Sequence, residues 1–194
     1  MGYIWDHDVK FLKNKYSLRN FVETGTYKGD AILYVSQFNF EKYYTVELND
    51  IFIQIALEKF NGIKNFKIFK GSSSYCLKTI LRELNGCPTL FWLDAHLPDI
   101  YPETNDEILE EDLRFPLINE LNTILKNRNI SNDCFIIDDL RLYEDLNYEK
   151  GNIDDARKPK NQDLSKVIEK FEHTHNIIKS LNSEGFLIFE PKGD

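Results

Sequence analysis

The sequence predicts an α/β protein built on a doubly wound, mostly parallel sheet, and three observations carry that reading. Short β-branched or aromatic runs alternate with helix-length amphipathic segments along most of the chain. The first run, Phe21-Val22-Glu23, opens into a turn holding Gly25 and Gly29 and then into the apolar segment Ala31-Ile32-Leu33-Tyr34-Val35, the order strand, tight turn, helix. The last two runs are separated only by Asn182-Ser183-Glu184, a hairpin connection that adds one antiparallel strand to the sheet.

In chain order, Trp5, Val9, Leu12 and Tyr16 recur at helical spacing, so residues 1–17 read as a leading helix over one edge of the core. Strands are expected at 20–23, 43–47, 66–70, 89–94 and 134–138. Each leads into a helix, at 29–37, 50–60, 73–84, 113–127 and 164–172, as parallel βαβ units do. The closing pair at 176–181 and 185–190 brings the sheet to seven strands. Two segments break the rhythm, 97–112 and 140–163. Both follow strand C-termini, the side on which open α/β sheets bind ligands, which makes them candidate active-site lids as well as plain surface loops.

With 194 residues, 42% of them hydrophobic, the chain suits a single domain. A net charge of −8 argues against a nucleic-acid footprint. The basic cluster Arg157-Lys158-Pro159-Lys160 reads as solvated loop. Three cysteines, Cys76, Cys87 and Cys134, have neither disulfide-framework nor zinc-knuckle spacing, and a reduced, cytoplasmic setting is expected. The first residues are charged by Asp6 and lack a signal-peptide core, and no apolar run reaches the ~18 residues of a membrane span.

Candidate chemistry gathers at strand ends. The turn reads Glu23-Thr24-Gly25-Thr26-Tyr27-Lys28-Gly29, with a carboxylate where a dinucleotide fingerprint has its first glycine; it suits a cationic or amino-bearing ligand and repels a diphosphate. Glu47, closing Tyr44-Thr45-Val46, stands where such folds accept hydrogen bonds from a ribose. Gly71, Ser72 and Ser73 are placed to meet a nucleobase, or Ser72 or Ser73 simply caps the next helix. The runs ending in Asp94-Ala95-His96 and Asp138-Asp139 bring three carboxylates together if the strands are neighbours. Two ionised carboxylates about 4 Å apart repel by about 4 kcal/mol at an effective dielectric of 20, so such a cluster calls for a proton or a cation. All-oxygen ligation favours Mg²⁺, Mn²⁺ or Ca²⁺. His96 is a candidate base, a ligand, or a partner of Asp94. His7, His173 and His175 read as structural or exposed, and neither a nucleophile elbow nor a P-loop is present.

Taken together, Glu23-x-Gly25-x-x-x-Gly29, Glu47, the Trp92–His96 and Ile136–Arg141 segments and the terminal hairpin resemble the class I S-adenosylmethionine-dependent methyltransferases, over about residues 21–190, and among them the bacterial sugar and natural-product O-methyltransferases. The resemblance implies a Rossmann-like sheet of order 3-2-1-4-5-7-6 with helices on both faces. It implies S-adenosylmethionine as cofactor, held by Glu23, Thr24, Gly25, Thr26, Gly29, Glu47, Gly71, Ser72, Ser73 and Asp94. It further implies a divalent metal, Mg²⁺ first, on Asp94, Asp138 and Asp139, with His96 and Asp94 in catalysis. The expected acceptor is a hydroxyl of a carbohydrate, sugar nucleotide or other small molecule, as in polysaccharide biosynthesis, met by Tyr101, Arg114, Arg141 and Tyr143. A metal-independent methyltransferase and a non-catalytic cofactor-binding homologue are the alternatives, a nicotinamide dehydrogenase ranks last, and a homo-oligomer is compatible with the sequence.

Overall fold

The computed structural model describes residues 3–96, 110–161 and 163–193. Seven strands form one sheet: β1 (Asn20–Thr24), β2 (Lys42–Glu47), β3 (Phe66–Lys70), β4 (Thr89–Leu93), β5 (Cys134–Ile137), β6 (His175–Ser180) and β7 (Phe186–Pro191). Their order is β3-β2-β1-β4-β5-β7-β6, parallel except for β7, which runs antiparallel to both neighbours. The connecting helices are α1 (Val9–Lys15), α2 (Asp30–Val35), α3 (Asp50–Lys59), α4 (Ser73–Leu84), α5 (Glu111–Arg114), α6 (Leu117–Asn127) and α7 (Ser165–Glu172).

The central strands are apolar throughout because both faces are covered. Val22, Phe91, Leu93, Phe135 and Ile137 pack with Leu77 and Ile80 of α4, Leu121 and Ile124 of α6 and Phe171 of α7. Their alternates Phe21, Leu90, Trp92 and Ile136 pack on the other face with Val9, Leu12, Ile32, Val35 and Ala56 from α1, α2 and α3. The register then fixes where the strand ends meet. Thr24 pairs with Leu93, and Leu93 with Ile137. Asp94 N donates to the Thr24 carbonyl (3.2 Å) and Asp138 N to the Leu93 carbonyl (3.3 Å), so the residues that follow the three strands leave the sheet side by side.

Several boundaries differ from the sequence expectation for identifiable reasons. The leading helix is two pieces, a 3-10 turn at Ile4–Asp6 and then α1, because the Asp8 side chain caps a new start by accepting from Phe11 N. The helix expected at 113–127 is broken before Pro116, which leaves Phe115 out of helical geometry (φ −132°, ψ 67°). Segment 140–163 is firmly anchored, with Leu140, Leu142, Tyr143, Tyr148 and Ile153 buried. The Tyr148 ring occupies the space beside Gly185, where a Cβ would lie 2.2 Å from a ring carbon. Lys158 is not solvated: its buried ammonium holds Asp145 (2.7 Å) and Asp155 (2.8 Å). Most of segment 97–112, including Tyr101, lies outside the described residues.

Candidate active site

The carboxylates at the ends of β4 and β5 converge on His96. Donor atoms of Asp94, His96 and Asp138 all lie within 4.8 Å of one another. His96 Nδ1 is 3.3 Å from Asp94 Oδ1, and its Nε2 is 3.5 Å from Asp139 Oδ2. Asp139 therefore faces the opposite side of the imidazole from Asp94. It adopts a left-handed conformation (φ 51°), and its other oxygen accepts from Arg141 Nε at 2.8 Å. Arg141 also reaches toward buried Glu184, with Nη2 3.7 Å from Oε1.

Protonation follows from this crowding. Burial, then the neighbouring Asp138 charge, pushes the Asp94 carboxyl well above its ordinary range. Burial lifts Asp138 to about 6, with His96 opposing and Asp139 adding to the shift. Burial alone would lower His96, but Asp139 and Asp94 overcome it and raise the imidazole to about 9. Burial would likewise raise Asp139, yet His96 and Arg141 hold it below the usual carboxylate value. Without a cation the cluster thus carries its own protons, one of them on His96. Two carboxylates are hard donors and an imidazole a borderline one, a set that fits a divalent ion such as Mg²⁺ or Mn²⁺ in the place of those protons.

The glycine turn sits beside this cluster, and the structure explains its glycines by close packing. At Gly25 (φ 84°) a Cβ would lie 2.7 Å from the Asp94 carbonyl oxygen; at Gly29 (φ 80°) it would lie 2.7 Å from the Phe60 ring. Gly25 is what lets the turn press against the end of β4. Glu23 is buried and accepts from Thr45 Oγ1 (2.6 Å), which in turn meets Thr26 Oγ1 (2.5 Å). Burial pushes Glu23 well above its ordinary range despite the Thr45 hydroxyl. Glu47 joins two turns: Oε2 accepts from Tyr27 N (2.7 Å), and Oε1 from Leu48 N (2.8 Å) and Asn49 N (2.9 Å). Beyond β3, among the described residues, only Cys76 Sγ comes within 4 Å of a Cβ placed on Gly71. Ser72 is the N-cap residue of α4 but makes no side-chain cap bond; its hydroxyl pairs with that of Ser74 (3.1 Å).

Of the residues expected to meet the acceptor, Arg141 is engaged by Asp139, Tyr143 is buried, and the Arg114 guanidinium lies 5.2 Å over the Phe115 ring. His7, whose burial takes it down to about 4, packs against Trp92 and Phe186, and buried His175 bonds the Asp133 carbonyl. A cleft of about 540 Å³ lies between Tyr143 and α7, lined also by Leu140, Leu164, Ile168 and Lys179, and does not include the Asp94–His96–Asp138 cluster. One residue at the site escaped the sequence reading. Glu120 of α6 is 1% exposed, and burial raises its carboxyl to about 7, opposed by the Ser73 and Thr24 hydroxyls and by His96. Its signal was positional: it shares the helical stripe of Leu117, Leu121 and Ile124, all buried.

No protein-family model and no curated protein matches the chain by sequence. Solved structures do resemble it. A Staphylococcus aureus structure assigned as a caffeoyl-CoA O-methyltransferase superposes with a TM-score of 0.63 at 12% identity, over 94% of this chain and 80% of that one. The O-methyltransferase TomG of Streptomyces achromogenes, in complex with SAM, gives 0.59 at 16% identity over 95% and 78%. A methyltransferase structure from Streptococcus mutans, in complex with SAH, gives 0.60 at 13% identity over 98% and 99%. No helix among the described residues is long and apolar enough to cross a membrane. The strand order, the antiparallel β7 and these superpositions give the chain the Rossmann-like fold of the S-adenosylmethionine-dependent methyltransferases.

Proposed function

We propose that this protein is an S-adenosylmethionine-dependent O-methyltransferase that acts, with a divalent cation, on a hydroxyl of a carbohydrate or sugar-nucleotide-like acceptor. The observation that carries the reading is the convergence of Asp94, His96 and Asp138 at the ends of β4 and β5, next to the glycine turn of a methyltransferase fold. The donor would lie across the carboxyl ends of β1, β2 and β4, where the strand order reverses, beside Glu47 and Gly71. Asp94, Asp138 and a nitrogen of His96 are the fitting metal donors, with Asp139 and Arg141 holding the imidazole from its other side. In the alternative arrangement, with the cation held by Asp94 and Asp138 alone, its charge would lower the pKa of His96 and leave the imidazole to take the acceptor's proton as base. S-adenosylmethionine supplies an electrophilic methyl group, and a divalent ion supplies positive charge that favours ionisation of a hydroxyl. Transfer itself is an in-line displacement, so the remaining work of the chain is alignment and exclusion of water, for which segments 97–112 and 140–163 are the candidates.

The test has two arms. Calorimetric titration with S-adenosylhomocysteine is expected to give one saturable site; no binding would remove the methyltransferase reading. Transfer of labelled methyl from S-adenosylmethionine to a panel of sugars and sugar nucleotides is expected to stop in excess EDTA and return with MgCl₂. Full transfer in EDTA would leave a metal-independent enzyme, which the His96–Asp139 pairing also supports.

A further inference from the structure

We infer that Glu184 is a positioning residue for the cation site, and the inference rests on the cation-assisted reading above, with His96 as one of the donors. Glu184 lies in the connection between β6 and β7, far from the cluster in sequence, and its side chain is 2% exposed. Its carboxylate accepts from Lys150 Nζ on both oxygens (3.0 and 3.2 Å) and stands 3.7 Å from Arg141 Nη2. Arg141 Nε donates to Asp139 Oδ1 (2.8 Å), and Asp139 Oδ2 lies 3.5 Å from His96 Nε2. The row Glu184, Arg141, Asp139, His96 thus sets acid against base at every step. It ends on the imidazole nitrogen opposite the one that faces Asp94.

Stability does not account for this acid. The hairpin is already joined to the segment after β5 by backbone bonds: Leu140 N donates to the Gly185 carbonyl (2.9 Å), Arg141 N to that of Glu184 (3.2 Å), Glu149 N to that of Leu181 (3.0 Å) and Lys150 N to that of Ser183 (3.0 Å). A buried ionic group adds little to such a joint, since well-packed apolar replacements of buried ion pairs are often neutral or stabilising. What the carboxylate does supply is a second fixed point for a planar guanidinium. Asp139 holds Arg141 at Nε and Glu184 attracts it at Nη2, so the fork keeps one orientation, and the Asp139 carboxylate keeps its other oxygen toward His96. A carboxylate on the far nitrogen of a metal-bound imidazole fixes the ring's orientation and raises its basicity, which is the part Asp139 is placed to play. Glu184 acts one step further out, through Arg141.

The experiment uses the full chain with MnCl₂ as probe, the free ion being followed by electron paramagnetic resonance as protein is added. Losing the direct partner of a metal-bound imidazole costs about 10–100-fold in affinity, so Asp139→Asn is expected to weaken Mn²⁺ binding at least about tenfold. Glu184→Gln, one step removed, is expected to weaken it about three- to fivefold, and to add nothing in the Asp139→Asn background because the row is already cut. Lys150→Met separates this effect from stability. It strips Glu184 of its other cation at the same joint, and is expected to lower the melting temperature while leaving Mn²⁺ affinity within about twofold of wild type. Unchanged affinity in Glu184→Gln, an additive loss in the double variant, or an equal loss in Lys150→Met overturns the inference. If Glu184→Gln does not fold, Glu184→Asp, which draws the carboxylate back from Arg141, takes its place with the same expectations and the same overturning results. Absence of Mn²⁺ binding by the wild type overturns the cation reading and this inference with it; wild-type binding that the Glu184 variants leave unchanged overturns this inference alone.

Discussion

Replacing Asp138 by Asn should make the metal-free protein more stable and the enzyme inactive. The structure sets the size: raising the folded-state pKa of Asp138 from 3.8 to about 6, chiefly through burial, costs about 3 kcal/mol once the group is ionised. The sign follows from linkage. A carboxyl raised on folding binds its proton more tightly in the native state, so its penalty is absent below pH 3.8, grows through that window and is complete above pH 6. Asparagine removes the charge and keeps the shape, and at 2–4 °C per kcal/mol, less what its altered hydrogen bonding takes back, the gain at pH 8 is about 5 °C in melting temperature. At pH 4 the gain should vanish. The assay is calorimetric melting of both proteins at the two pH values, with and without 10 mM MgCl₂, a probe concentration chosen at about the upper limit of weak divalent sites. Wild type should gain stability from Mg²⁺ by mass action and the variant should not. A variant less stable than wild type at pH 8, or one that keeps the Mg²⁺ shift, would refute the account of the cluster as a cation site.

Two further outcomes follow from the same geometry. His96 is raised to about 9, so its favourable contacts stabilise the metal-free fold fully below pH 6.5 and are lost as pH rises through 9; a cation that displaces its proton should therefore bind more tightly as pH rises, with close to one proton released per ion near pH 7.5 when Mg²⁺ binding is titrated in buffers of different ionisation enthalpy. A pH-independent affinity would place His96 outside the ligand set. Gly25→Ala puts a Cβ 2.7 Å from the Asp94 backbone in a conformation with φ 84°, and should cost at least about 2 kcal/mol in urea melts while also weakening S-adenosylhomocysteine binding; a variant as stable as wild type would mean that the turn can move away from β4.

The parts of the site that the sequence made legible are those whose residue type and position agree. Apolar runs that end in acid, Trp92-Leu93-Asp94 and Ile136-Ile137-Asp138, declared strands leaving a core, and parallel register alone was enough to bring their ends together. The rest depended on what packs beyond the chain neighbours. Asp139 could not be told from Asp138 by position in sequence, yet one turns toward Asp94 and the other across the imidazole toward Arg141. Arg141 is expected from the sequence to meet the acceptor, and Lys158 to be solvated as long basic side chains usually are, whereas here acids have claimed both. Gly25 and Gly29 read as room for a ligand, and the same absent Cβ turned out to be room for β4 and for Phe60. Pro116 divides the helix expected at 113–127 into α5 and α6, because the residue before a proline is kept out of helical geometry.

The acids at the carboxyl edge of the sheet have a consequence for turnover. Glu23 and Asp138 are buried there and Asp94 is half-buried, and burial raises each of them, so each would be favoured as an anion by added positive charge nearby. A site of that kind favours ligands that arrive as cations, because in a low-dielectric setting each elementary charge is felt more strongly than in water. The proposed donor is a sulfonium, and the proposed assistant is a divalent ion. After methyl transfer the sulfonium has become a neutral thioether, and the attraction that drew the donor in no longer holds the product. Charge that would be a liability for a fold alone then separates donor from product, which is where a transferase gains from differential binding.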